Sequence, residues 1–526
     1  MKSLFKFYVF VAFTLLGLIT CITEENNYQI DRPNIVIFLA DDMGFSDLGC
    51  YGSEINTPNI DKLATEGIRF TQMHNTAKCF PTRACLLTGL YAQQCNMDIT
   101  NDSLKNCITL GEILRNAGYR TLMVGKHHGL DNPYDRGFDR YFGLRDGCCN
   151  YFNPGVRREG EPEPAHKEVA WAKPRKWCID DSLYAPYTPV EKDFYTTDFF
   201  TKYALGYLDT YKNEDKPFFL YAAYTAPHDP LHAWPEDIEK YLGKYMEGYE
   251  VIRNRRYKKQ KEMGLLDKSF PLSEPTFENW DELTMEQKLT ADSLMAVYAA
   301  MIDRMDQNIG KIIDKIKEMG EYENTLFMFM SDNGCQPEGP GNESLNQTAR
   351  DYPIGSIGRW ASLNQSWANV GNTPFRYYKN WSHEGGTCTP FIVYWPKMKD
   401  SMNIKISHFS SHFIDIMPTL LDITSAEYPV SFKEEKVFPY QGISLLPVWM
   451  GENVEREKTI FWQWDRGKAV RKGNFKLVSG NNGPWELYDM ASDKTETINL
   501  IAEEPTITNE LEMLYEKWIA EVKGIE

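Results

Sequence analysis

Positive charge is scarce in this chain. Its 526 residues hold 57 Lys and Arg against 74 Asp and Glu, a formal net charge of −17. A balance of that sign excludes nucleic acid as a partner. It also gives a polyanionic substrate no long-range attraction, so an anion must be held in a local positive pocket. Long apolar runs are missing as well, since beyond the first twenty residues nothing is long enough to cross a bilayer. Cysteine is present but does not form an even set. Of 11, Cys21 and Cys79 have other assignments below, and the odd remainder means at least one free or intermolecular thiol. Cys148, Cys149 and Cys178 share an irregular stretch whose spacing permits a bridge without demanding one.

What is present is the composition of an ordinary globular protein, 42% hydrophobic and 25% charged. The length suffices for one large α/β domain and a smaller one. Lys2 and Lys6 precede an apolar run from Phe7 to Ile19, which reads as a secretion signal over residues 1–21. Leu18-Ile19-Thr20-Cys21 resembles a bacterial lipoprotein cleavage box with Cys21 as the lipid anchor. The expectation is therefore a bacterial protein, periplasmic or held to the membrane as a lipoprotein. Sequons at Asn342 and Asn380 would carry no meaning in such a source.

Asn34 to Ala40 is a continuous β-branched and apolar run, the pattern of a strand buried on both faces, and it ends in Asp41-Asp42. The same grammar repeats. Thr121 to Val124 runs into Gly125-Lys126-His127-His128, Phe218 to Tyr221 leads to Ala226-Pro227-His228, and Thr325 to Met330 leads to Ser331-Asp332-Asn333. A further run, Phe391 to Trp395, is preceded by Lys379 and His383-Glu384-Gly385-Gly386. In open α/β sheets, functional residues gather beyond the carboxyl ends of the strands. Adjacent carboxylates there need a cation or donors to neutralise them. Each Asp or His alone is as well explained by a solvated turn or a satisfied core residue; their shared position at strand ends shifts the balance.

Helical stretches alternate with these strands, at Leu110 to Ala117 and along a stripe from Met295 to Ile316, and imply a sheet covered by helices. Segments 144–195 and 232–290 have weak periodicity and read as long loops shaping a pocket. From about residue 456 the pattern becomes short antiparallel strands and a final amphipathic helix through Leu511, Leu514, Trp518 and Val522.

The stretch Cys79-Phe-Pro81-Thr-Arg83-Ala-Cys-Leu-Leu87-Thr88-Gly89 organises the rest. Pro81 suits the first turn of a helix. Cys79 then stands just ahead of a helix N-terminus, where free N–H groups favour anions, with Arg83 one turn in and able to reach back. A cysteine so placed is an activated nucleophile, the precursor of one, or a buried residue capping an ordinary helix.

This stretch resembles the signature of the type I sulfatases, in which the cysteine is oxidised to Cα-formylglycine. The resemblance extends from Asn34 to the C-terminus and looks most like bacterial arylsulfatases. It implies an alkaline phosphatase-like α/β fold: a large mixed sheet flanked by helices over residues 32–455, then a small α+β subdomain over 456–526. It implies metal ligation by Asp41, Asp42, Asp332, Asn333 and modified Cys79, an oxygen set suited to one calcium ion. It implies catalytic roles for Cys79, Arg83, Lys126, His128, His228 and Lys379. A hydroxyl of the hydrated aldehyde attacks sulfur while Arg83, Lys126, Lys379 and the metal hold the sulfate oxygens or the diol and stabilise developing charge. His228 protonates the leaving alcohol, and His128 then takes a proton so that sulfate is expelled. The implied substrate is a sulfated carbohydrate or aryl sulfate, and the implied partner is a formylglycine-generating maturation enzyme. The alternatives are a phosphoester or phosphonate hydrolase on the same fold and a non-catalytic carbohydrate-binding relative.

Overall fold

Asn34–Asp41 (β1) has no solvent face, for every residue in it is buried, as a strand covered on both sides must be. The computed structural model describes residues 32–165, 175–338, 351–402 and 404–524. The signal segment, Cys21 and Asn342 lie outside them. The sheet built around β1 contains, in chain order, β2 (Ile68–His74), β3 (Arg120–Gly125), β4 (Arg140–Leu144), β5 (Trp177–Ile179), β6 (Ser182–Tyr184), β7 (Phe218–Pro227), β8 (Thr325–Ser331), β9 (Cys388–Tyr394), β10 (Ile406–Ser407) and β11 (Ser411–His412). Their spatial order is β10-β2-β9-β8-β1-β7-β3-β4-β5-β6, with β11 also on β2. The centre is parallel, β8-β1-β7-β3-β4, while β9 runs antiparallel to both β8 and β2. It is the mixed, helix-flanked sheet the sequence implies.

The apolar stripe around Met295 belongs to a helix spanning Met285–Glu318, opened by a capping box between Thr284 and Gln287. It packs on β7 and on the helices Pro58–Glu66 and Thr196–Tyr211. The C-terminal part holds a two-residue hairpin, β12 (Ser431–Phe432) and β13 (Glu435–Lys436), and then a four-stranded antiparallel sheet. Its strands are β14 (Ile460–Trp464), β15 (Gly467–Lys472), β16 (Phe475–Ser479) and β17 (Glu486–Asp489). The last helix, Pro505–Lys523, covers β15 and β16 through a buried face that includes Leu511, Tyr515 and Trp518. These elements cluster in the same compact unit as the large sheet.

Two expectations change. Within 232–290, read as loop, Tyr249–Glu262 is a helix whose buried residues include Arg253, Arg256 and Gln260. Its inward face is polar, so hydrophobic periodicity cannot reveal it. Cys148, Cys149 and Cys178 form no bridge, and all ten described cysteines are free thiols. Cys178 is held in β5 between β4 and β6, while Cys148 Sγ accepts a hydrogen bond from Arg175 at 3.3 Å.

Candidate active site

Strand register gathers the site. Ala40 lies opposite Ser331 and Asp41 opposite Pro227, so Asp41-Asp42, Asp332-Asn333 and His228 leave the sheet at one edge. Gly125 lies opposite Ala223, and the Lys126 N–H bonds the Ala223 carbonyl at 2.7 Å. Gly125 has φ +100°, and a Cβ there would sit 1.8 Å from that carbonyl, so only glycine can carry the chain from β3 to Lys126. Because β9 is antiparallel, its beginning lies at this edge, which brings in Lys379 and His383–Gly386 from the preceding loop. Asp42, Ala77, His128 and Asn380 all take left-handed backbone conformations, φ +60° to +74°. Such strain in non-glycine residues clusters where the surrounding structure fixes side-chain direction for function.

Cys79 opens the buried helix Cys79–Thr88. It is the first helical residue, not the one ahead of it; Lys78 takes that place. Burial raises its thiol pKa, but the ammonium groups of Lys126, Lys379 and Lys78 outweigh burial and lower it overall. The Arg83 fork is aimed elsewhere than the sequence reading supposes. Its Nε bonds Asp332 Oδ2 at 2.8 Å and its Nη1 bonds the Lys126 carbonyl at 2.7 Å.

The carboxylates are fully buried and held by cations. Lys379 Nζ donates to both oxygens of Asp42 at 2.7 Å, and Lys126 Nζ to Asp41 Oδ2 at 2.5 Å. Burial opposes the charge on Asp42, yet His228, Lys379 and Lys126 hold its carboxyl well below the usual range. Asp332 goes the other way, because burial and the neighbouring Asp41 charge push it up to about 6. Two buried oxygens, Asp41 Oδ1 and Asn333 Oδ1, have no hydrogen-bond donor. Orphaned oxygens beside three carboxylates are the donor set of a hard cation, and Asp41, Asp42, Asp332 and Asn333 fit calcium on that ground. A second close group, His74, Glu384 and Cys388, is already satisfied: Lys476 bonds Glu384 at 2.6 Å and His74 Nε2 lies 3.1 Å from it.

The two site histidines are driven apart. Around His228, burial disfavours the charge but Asp42, Asp41 and Asp229 outweigh it and raise the imidazolium to about 10. His128 is depressed far below its ordinary value by burial and by Lys126 and Arg83. One ring is held charged and the other neutral, the opposite protonation states that an acid and a base require. Asp229 is a residue sequence reasoning missed. Its Oδ1 lies 2.7 Å from His228 Nδ1, and its Oδ2 accepts from Ser362 Oγ at 2.5 Å. His-Asp-Pro reads as a turn, and no spacing rule distinguishes an orienting aspartate from a turn aspartate.

Residues 33–426 match the family model described as Sulfatase. The chain belongs to the sulfatase family. It is 34% identical to an uncharacterized sulfatase of Schizosaccharomyces pombe, covering 91% of this chain and 92% of that one. It is 32% identical to the arylsulfatase of Klebsiella aerogenes over 79% of this chain and 92% of the relative. Among solved structures it superposes on Ps i-CgsB in complex with k-i-k-neocarrahexaose, with TM-score 0.66, 23% identity and 93% of each chain covered. It also superposes on BT4656 in complex with its substrate D-glucosamine-2-N,6-O-disulfate, with TM-score 0.60, 22% identity, and 94% and 99% covered. At such identities the structures establish the fold alone. This sulfatase is a sulfuric ester hydrolase of the alkaline phosphatase-like superfamily.

Proposed function

We propose that this sulfatase hydrolyses sulfate esters of carbohydrates, using Cα-formylglycine made from Cys79 and a calcium ion held by Asp41, Asp42, Asp332, Asn333 and the modified side chain. The observation that carries the reading is the position of Cys79 at a helix N-terminus, faced by Lys126, Lys379 and Lys78 and adjoining a carboxylate set with two donor-less oxygens. A carbohydrate substrate is supported by the neighbour bound to D-glucosamine-2-N,6-O-disulfate.

When present, the group at position 79 supplies the attacking hydroxyl and the calcium supplies polarisation of oxygen. The chain supplies the rest. Lys126 and Lys379 offer N–H donors where negative charge accumulates on the sulfate oxygens, in a buried setting where such contacts are strong, and Arg83 holds Asp332 and the Lys126 carbonyl beneath them. His228 carries a proton at Nε2, fixed by its Nδ1 contact to Asp229, and delivers it to the leaving oxygen. Neutral His128 accepts a proton at position 79. Cys79 is 1% exposed in the folded chain, so a maturation enzyme reaches it more readily before its helix packs.

We further propose export through residues 1–21, lipid attachment at Cys21, and division into a catalytic part over 32–455 and a subdomain over 456–526. No described helix is long and apolar enough to span a membrane. Turnover across aryl sulfates, sugar sulfates, and phosphate monoesters and diesters tests the reading. Sulfates should be preferred throughout; preference for phosphoesters would favour the phosphohydrolase alternative.

A further inference from the structure

The small C-terminal sheet reaches the mouth of the active site through one side chain. On β14, Ile460 and Trp462 face a local core with Ala469, Val478 and Tyr488. Trp464 continues that face past the end of the core. Its Nε1 donates to Asn380 Oδ1 at 3.2 Å, next to Lys379. Its ring meets Phe80 edge-to-face at 5.0 Å, next to Cys79, and Phe80 in turn meets His128 at 5.6 Å. The hairpin beyond it is pressed against the same loop, for a Cβ on Gly467 would lie 2.6 Å from Ser382 Oγ. Trp464 therefore stands over the neighbours of three catalytic residues while remaining partly open to solvent.

Lys78 completes this corner. Its ammonium lies 5.6 Å from the centre of the Trp464 ring. Arg83, Lys126 and Lys379 are each paired with Asp41, Asp42 or Asp332. Among the described residues no carboxylate lies within ion-pairing distance of Lys78. It thus places a positive charge with no ion-paired carboxylate among the described residues one residue from Cys79, in a chain whose net charge is −17. An aromatic face beside such a cation suits a sugar ring that carries an anionic group.

We propose that Trp464 and Lys78 form the subsite for the leaving-group ring, with Trp464 as its platform and Lys78 binding a second anionic substituent, so that the preferred substrate is a sulfated sugar bearing another sulfate or a carboxylate. This rests on the sulfatase reading above and narrows its substrate class. It also gives the C-terminal sheet a part in specificity.

The test uses the matured full-length enzyme turning over nitrophenyl sulfate. Monosulfated hexoses and hexosamines, and their disulfated counterparts, are added as competitors. At least one disulfated sugar should inhibit at about tenfold lower concentration than its monosulfated counterpart, the scale of one charge-assisted contact. Lys78→Met should abolish that preference and Lys78→Arg should keep it. Trp464→Ala should raise KM for nitrophenyl sulfate and weaken every sugar competitor more than it lowers kcat, with Trp464→Phe restoring much of the binding. A preference absent from the wild type, or unchanged in Lys78→Met, would overturn the proposal. So would a Trp464→Ala enzyme that loses kcat at unchanged KM, since that outcome marks a residue that only positions the Lys379 loop. Failure of the underlying reading looks different, because the matured wild type would then turn over no sulfate ester at all.

Discussion

Asp229 Oδ1 lies 2.7 Å from Nδ1 of His228, while Nε2 of the same ring lies 3.4 Å from Asp42. The aspartate fixes which nitrogen faces the reacting centre and helps keep the ring charged. Asp229→Asn should slow hydrolysis of sugar sulfates by roughly tenfold to a hundredfold, part of the 10²–10⁴ that a general acid contributes. Removing a neighbouring negative charge lowers the imidazolium pKa, so the alkaline limb of kcat should move to lower pH. A rate loss with an unmoved limb would reduce Asp229 to a structural role.

His228→Ala should discriminate by leaving group. A sugar alkoxide needs the proton and a nitrophenolate does not, so sugar sulfates should suffer far more than nitrophenyl sulfate. Lys379→Ala, which in the proposed mechanism removes a donor to sulfate, should slow both nearly alike. Kinetics across leaving groups of graded pKa check this, and equal losses for His228→Ala at every leaving group would exclude proton donation.

Asp41→Asn and Asp332→Asn each remove one of three buried carboxylates from the cation site. Both should lose calcium on metal analysis, and both should lose the rise in melting temperature that added calcium gives the wild type. Full occupancy by zinc with no calcium or magnesium in the wild type would contradict the assignment.

Arg256 supports the site from behind. Its Nη1 donates to Asp47 Oδ1 at 2.6 Å and its Nη2 to Glu54 Oε1 at 2.7 Å, while Asp47 also accepts from Gly44 N–H and Tyr298 OH. Arg256→Met leaves a buried carboxylate uncompensated, at a cost of about 3–5 kcal/mol. Denaturant unfolding should show that loss, and calcium affinity should fall with it because the turn after Asp42 is released.

Asp306 accepts the N–H groups of Asn59 and Ile60 at the start of the helix Pro58–Glu66, and burial pushes its carboxyl up to about 6. The folded chain therefore holds this proton more tightly than the unfolded chain does. Its contribution to stability is present in acid and is lost as pH rises through about 6. Against the wild type, Asp306→Asn should lack that component of the decline, as measured by denaturant midpoints across this range.

The strand ends were legible in the sequence because a buried parallel strand is a continuous apolar run, and the polar residues that the sheet gathers at one edge, Asp41, Lys126, His228 and Asp332, stand where the runs stop. What the sequence hides is what depends on distant pairing. The helix Tyr249–Glu262 turns Arg253, Arg256 and Gln260 inward, so its partners and not its periodicity define it. Asp229 looks like a turn residue until Ser362 and His228 are placed beside it. Trp464 looks like one more small-sheet aromatic until β14 is packed against Asn380 and Phe80. Arg83 has several acceptors within reach along the chain, and only the fold selects Asp332.

The state of residue 79 in active enzyme decides whether formylglycine drives this hydrolysis. Cleavage after Lys78 and Arg83 releases the peptide Cys79–Arg83 for mass spectrometry. Active preparations should carry the aldehyde at position 79, activity should scale with its fraction, and Cys79→Ala should be folded and inactive. Full activity in protein whose residue 79 is entirely an unmodified thiol would contradict the formylglycine mechanism.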